Sequence, residues 1–209
     1  MRFRVVLVSL ALLLGAVTGC SLVGGSVTGS DEPSRPSRPL TVVGDSLSVL
    51  GRKPIRAALA AAGWDVLIDS FPGRTTADQI PALTYAAGDP SRVVIIELGT
   101  NDAIQVEDGR LDRASVMATI GQALDLFQDR CIVWVVPGRD PQANGAEVGA
   151  AIGDELSAQA GRRPNLRLAD FGAVLLEHPE YLLDDHVHLT DDGTQALADL
   201  MVDAVGGCG

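Results

Sequence analysis

The spacing of apolar residues along the chain changes period several times, and each change marks an expected strand or helix. Residues 41–43 (Thr-Val-Val) are β-branched, follow Pro39 and read as a first buried strand. Residues 54–62 predict a helix, with Pro54 at its start and Gly63 just past its end. Residues 64–68 predict a second strand. Residues 76–87 predict a helix that Pro81 either interrupts or begins. Residues 92–98 are almost continuously apolar, as in a central parallel strand covered on both faces. Residues 112–129 carry helical spacing through Val116, Ile120, Leu124 and Phe127. A fourth strand follows at 131–136, a helix at 146–160, a short fifth strand at 166–168, and a closing helix at 190–205 capped by Thr190. Strand and helix alternate five times. That pattern predicts an α/β domain: a three-layer, doubly wound sheet of five parallel strands with helices on both faces.

The first forty residues follow a different rule. Arg2 and Arg4 precede an apolar run at 5–17 that ends at Thr18-Gly19-Cys20. A charged start, a short apolar stretch and small residues at its end predict a signal peptide over 1–19. The run is too short for a comfortable membrane span. Val17-Thr18-Gly19-Cys20 resembles the lipobox of bacterial lipoproteins, which implies cleavage before Cys20 and a lipid on its sulfur; an ordinary secretory signal is the alternative. Residues 20–39 then read as the lipidated cysteine and a Gly/Ser/Pro-rich flexible tether, leaving 40–206 as the folded domain. The protein is therefore expected outside the cytoplasm, anchored to a membrane through Cys20 or else secreted.

Composition adds two constraints. A chain that is 46% hydrophobic and 21% charged can bury a core. The net charge of −11, and −13 once the two leader arginines are gone, makes a nucleic-acid backbone an improbable partner. Two cysteines besides Cys20 remain, Cys131 opening a strand and Cys208 after the last helix. In an exported domain they are expected to form a disulfide, with two free thiols as the alternative. No Gly-x-Gly-x-x-Gly or glycine-lysine phosphate loop follows a strand, so nucleotide binding has no support.

Four segments carry candidate chemistry. Gly44-Asp45-Ser46-Leu47-Ser48 leaves the first strand, at the sheet edge where open α/β proteins place their sites. Ser70-Phe71-Pro72-Gly73 leaves the second, Gly99-Thr100-Asn101-Asp102 leaves the third, and Asp184-Asp185-His186-Val187-His188 precedes the last helix. Taken singly, Asp45 and Ser46 read as turn and cap residues, Gly73 as a turn residue after Pro72, and Asn101 and Asp102 as a helix-start pair. In this order, the four segments resemble the signature blocks of the GDSL, or SGNH, hydrolase family, over about residues 40–205. The resemblance implies a flavodoxin-like SGNH fold and an esterase, lipase or other acylhydrolase activity. It also implies roles: Ser46 as nucleophile, His188 as general base, Asp185 as the acid orienting it, and an oxyanion hole of Ser46 N–H, Gly73 N–H and the Asn101 side chain. These roles match the demands of a serine nucleophile, which needs a base and oxyanion donors.

The Gly-x-Ser-x-Gly elbow of the α/β-hydrolases is absent. His186 is a departure, standing where relatives commonly have glycine; at this position it would narrow or charge a pocket entrance. The histidines and acidic residues of the fourth block could be read as metal ligands, but a solvated or capping role is favoured, and neither metal nor organic cofactor is expected. Expected partners are a small-molecule, lipid or carbohydrate ester and the membrane. Two alternatives remain: acyl transfer to a cell-envelope sugar or alcohol, and a non-catalytic envelope-binding lipoprotein.

Overall fold

The computed structural model describes residues 38–208. The signal peptide, Cys20 and nearly all of the tether lie outside the described residues. Five strands, β1 (Pro39–Gly44), β2 (Asp65–Ser70), β3 (Val93–Glu97), β4 (Cys131–Val135) and β5 (Leu166–Ala169), form one sheet in the order β2-β1-β3-β4-β5. Every pairing is parallel. This is the doubly wound, flavodoxin-like order, with its switch point between β1 and β3. All five expected strands are present, each within about two residues of its expected limits.

Eight helices cover the sheet: α1 (Ser46–Leu50), α2 (Arg52–Ala61), α3 (Thr76–Gly88), α4 (Thr100–Glu107), α5 (Arg113–Asp125), α6 (Ala146–Ala160), α7 (Phe171–Glu177) and α8 (Asp191–Gly206). They divide the core in two. Ile55 and Leu59 of α2, Leu175 of α7, and Leu197 and Met201 of α8 pack on one face. Leu83 of α3, Ile120 of α5 and Ile152 of α6 pack on the other. Each fully buried aliphatic side chain contributes roughly 1.5–3 kcal/mol, so the two layers together hold the sheet between them.

Three helical details refine the expectation. Pro81 does not begin α3. Thr75 accepts from the Asp78 N–H while Asp78 accepts from the Thr75 N–H, and this reciprocal cap starts the helix at Thr76. The helix absorbs Pro81 six residues in. The helix expected over 112–129 stops at Asp125. The short helices α1, α4 and α7 were not anticipated, because five to eight residues carry too little periodicity to be read.

Cys131 and Cys208 form a disulfide, with Cα atoms 5.7 Å apart. It ties the start of β4 to the second residue after α8, at the sheet edge opposite the β-strand C-termini. No helix among the described residues is long and apolar enough to cross a membrane.

Candidate active site

Gly44 ends β1 and leaves no room for a side chain. A Cβ there would lie 2.5 Å from Ser48 Oγ and 2.9 Å from Glu97 Oε2. This close approach, rather than a special backbone angle, is why glycine stands at the strand exit. Asp45 then caps α1, its Oδ1 accepting from the Leu47 N–H at 3.1 Å. Ser46 is thus the first residue of a short helix, half-buried at the carboxyl edge of the sheet.

Beneath it lies a polar layer that the sequence did not reveal. Glu97, at the end of β3 and 2% exposed, accepts at Oε2 from Ser48 N–H (3.0 Å), Ser48 Oγ–H (2.8 Å) and Asp45 N–H (3.3 Å). Asp45 is fully buried and accepts at Oδ2 from Asn101 Nδ2 at 2.8 Å. Burial pushes the Asp45 carboxyl up to about 6, against hydrogen bonds from Leu47, Asn101 and Glu97 that favour its charge. Burial, and then the nearby Asp45 charge, push Glu97 well above the usual carboxylate range. Both effects favour the protonated form of Glu97. The one signal in the sequence was a single acid in an otherwise apolar central strand.

Asn101 and Asp102 lie in the first turn of α4, so the reading of these residues as a helix-start pair also holds, although neither caps the helix. The two serve different neighbours. Asn101 bonds Asp45, beside Ser46. Asp102, 1% exposed, accepts from Thr76 N–H at 2.8 Å and Thr76 Oγ–H at 3.1 Å, fixing the start of α3. Gln79 Nε2 of α3 donates to the Gly44 carbonyl at 2.8 Å. These bonds hold the Gly73 loop against the end of β1, where Ser70 pairs with Gly44. Gly73 has φ +72°, a conformation that favours glycine, and it is exposed.

The fourth segment is organised locally. Leu183 N–H donates to the His188 carbonyl at 2.8 Å, and His186 N–H to the Leu183 carbonyl at 2.9 Å. Asp185 Oδ1 accepts from Val187 N–H (3.0 Å) and His188 N–H (2.8 Å), leaving Oδ2 to meet His188 Nδ1 at 2.7 Å. Hydrogen bonds from the His188 side chain and then its backbone hold Asp185 down to about 2. On the other edge of the ring, His188 Nε2 lies 3.1 Å from Ser46 Oγ, across 142 residues of sequence. Chemically, this arrangement lets a hydroxyl give its proton to an imidazole whose far nitrogen faces a carboxylate.

A small cavity of ≈ 30 Å³ lies next to the segments that carry Ser46, Asn101 and His188. Leu47, Thr100 and Val187, each next in sequence to Ser46, Asn101 or His188, form part of its wall. Leu47 and residues of the 138–144 loop line it. In that loop Arg139 pairs with Asp170 at 3.1 Å, and Asn144 donates to Asp108 at 2.9 Å. His178 sits against Glu180 and Tyr181. No cluster of three or more His, Cys, Asp or Glu suited to a metal occurs among the described residues.

The model of the GDSL-like lipase/acylhydrolase family matches residues 42–196. O-acetyltransferase OatA of Staphylococcus aureus is 28% identical over 176 residues, which is 83% of this chain and 26% of that protein. Peptidoglycan O-acetyltransferase OatA of Listeria monocytogenes is 29% identical over 159 residues, 74% of this chain and 22% of that protein. The chain thus spans about a quarter of the length of the curated relatives it matches. Among solved structures, the C-terminal catalytic domain of Streptococcus pneumoniae peptidoglycan O-acetyltransferase A superposes with a TM-score of 0.68 at 18% identity, covering 82% of this chain and 94% of that one. This last likeness is one of fold.

Proposed function

The chain belongs to the GDSL-like lipase/acylhydrolase family, and on that premise we propose that it is a serine enzyme that cleaves carboxylic esters through an acyl-enzyme on Ser46. The observation that carries the reading is the 3.1 Å approach of His188 Nε2 to Ser46 Oγ, with Asp185 on the ring's other nitrogen. His188 takes the Ser46 proton as Oγ attacks the ester carbonyl. Asp185 holds the ring in one tautomer and stabilises its charged form. Ser46 N–H, Gly73 N–H and the Asn101 amide receive the oxyanion. Asn101 spends one of its two amide hydrogens on Asp45, and the other is free for this task. His188 then protonates the leaving alcohol, and an acceptor hydroxyl resolves the acyl-enzyme. The sequence needs no metal and no organic cofactor.

The acceptor defines a second reading. Relatives named as O-acetyltransferases, the Listeria monocytogenes one as a peptidoglycan O-acetyltransferase, favour transfer of the acyl group to a cell-envelope sugar hydroxyl over transfer to water. We further propose that the protein acts outside the cytoplasm, held at a membrane by a lipid on Cys20. Ser46→Ala should lower hydrolysis of p-nitrophenyl acetate by at least about 10⁴-fold with the fold unchanged; retained activity rejects Ser46 as nucleophile. Product analysis with and without an acetyl-accepting sugar separates the two acceptors. Incorporation of labelled fatty acid, lost in Cys20→Ser, tests the anchor.

A further inference from the structure

We propose that His186 and Asp140 form a specificity-determining clasp that closes the cavity beside Ser46, so that it receives an acetyl group and turns away longer acyl chains. The inference rests on the acyl-enzyme reading above. His186 has φ +57° and is the one non-glycine residue with positive φ among those described. A side chain persists in that conformation when its surroundings over-determine it. Here His186 Nδ1 meets Asp140 Oδ2 at 2.9 Å, across 46 residues of sequence. Asp140 is 13% exposed and is itself set by the Gln142 N–H, which donates to its Oδ1 at 3.0 Å.

The contact joins two loops, the one after β4 and the one carrying His188. The β4 loop is pinned at its far end. A Cβ on Gly145 would meet the Ala103 backbone at 2.6 Å, and Asn144 holds Asp108. Its middle is bridged to the opposite loop by His186.

Size selects the occupant. A cavity of ≈ 30 Å³ holds about one water-sized group, whose share of the liquid volume is about 30 Å³. That accommodates the methyl of an acetyl group, excludes a sugar ring, and leaves no space for two further methylenes. The lining agrees, since Leu47, Ala103, Leu175, Leu182 and Val187 offer apolar walls and His186 and Asp140 stand at the polar side.

The test measures kcat/KM for p-nitrophenyl acetate and butyrate, and Ser46 labelling by methyl and hexyl fluorophosphonates. The wild type should prefer the two-carbon acyl group and the methyl probe. His186→Gly, which suits the backbone at this position, and Asp140→Ala should each raise the butyrate-to-acetate ratio by about tenfold or more. Asp140→Asn, which keeps an acceptor oxygen, should restore most of the wild-type ratio. Unchanged ratios in folded His186→Gly and Asp140→Ala, or a wild type that accepts hexyl and methyl probes equally, overturn the clasp alone. A wild type that no probe labels overturns the nucleophile assignment, and the clasp with it.

Discussion

Ser46 and His188 come within 3.1 Å of one another, yet the segments that carry them are held by different means. Ser46 sits on a buried polar layer in which Glu97, Ser48, Asp45 and Asn101 satisfy one another across β1, β3 and α4. His188 sits on an exposed turn whose hydrogen bonds run mostly between residues 183 and 188, with Asp185 50% exposed. In the first region, a side chain that positions the site also satisfies a buried group, so function and stability are coupled. In the second, orientation is local and water replaces lost partners, so the two separate.

The largest effects should come from the exposed side. His188→Ala is expected to reduce kcat on the order of 10⁶-fold, and Asp185→Asn about 10⁴-fold. Both should leave the melting temperature within a few degrees of wild type. A large loss of stability in either would break the contrast. Asn101→Ala is the matching probe of the buried side. It should cost about 10²–10³ in kcat through the oxyanion. It should also cost roughly 1–3 kcal/mol of stability, because Asp45 Oδ2 loses its buried donor. Urea denaturation beside single-turnover kinetics measures both, and a purely kinetic effect would refute the coupling.

The disulfide gives a control at the opposite sheet edge. Cys131→Ser with Cys208→Ser opens a crosslink between residues 77 apart and should remove about 4 kcal/mol. Activity at temperatures where the variant remains folded should be unchanged.

The smallest effect concerns pH, where the two acids act in opposite directions. Asp45 is about 6 in the folded protein against an ordinary value of 3.8. Between those values the folded state binds more protons, so this contribution to stability grows as pH falls from 7 toward 4 and is lost as pH rises through 6. Asp185, near 2 when folded, contributes stability above pH 4 that is lost as pH falls toward 2. A melting curve measured against pH should therefore rise on mild acidification and fall below pH 4. Glu97→Gln, which mimics the protonated acid, should flatten the rise and spare the fall. A rise of wild-type size in this variant would detach Glu97 from the pair.

What could be read without coordinates follows the same division. The inner strands β1, β3 and β4 were legible because parallel strands buried on both faces are apolar runs, and residues 92–98 were the plainest case. The fourth block was legible because its geometry is local: Asp185 and His188 are three residues apart, and the carboxylate reaches both the backbone and the ring. Gly73, Asn101 and Ser46 were recognisable as blocks, but each also had an ordinary reading as a turn or helix-start residue. Asp45 proves to be a cap as well as a site residue, and Asn101 and Asp102 prove to start α4.

The sequence by itself determined the alternation of elements, the chemistry available at the ends of β1, β2 and β3, and the cysteines able to pair. Tertiary structure alone decided that Asp45 and Glu97 are buried side by side, that Asp102 anchors Thr76, and that His186 finds Asp140. The physical reason is range. Periodicity and capping act over a few residues, whereas burial, desolvation and the meeting of side chains tens of residues apart exist only once the sheet has brought β1, β3 and β4 together.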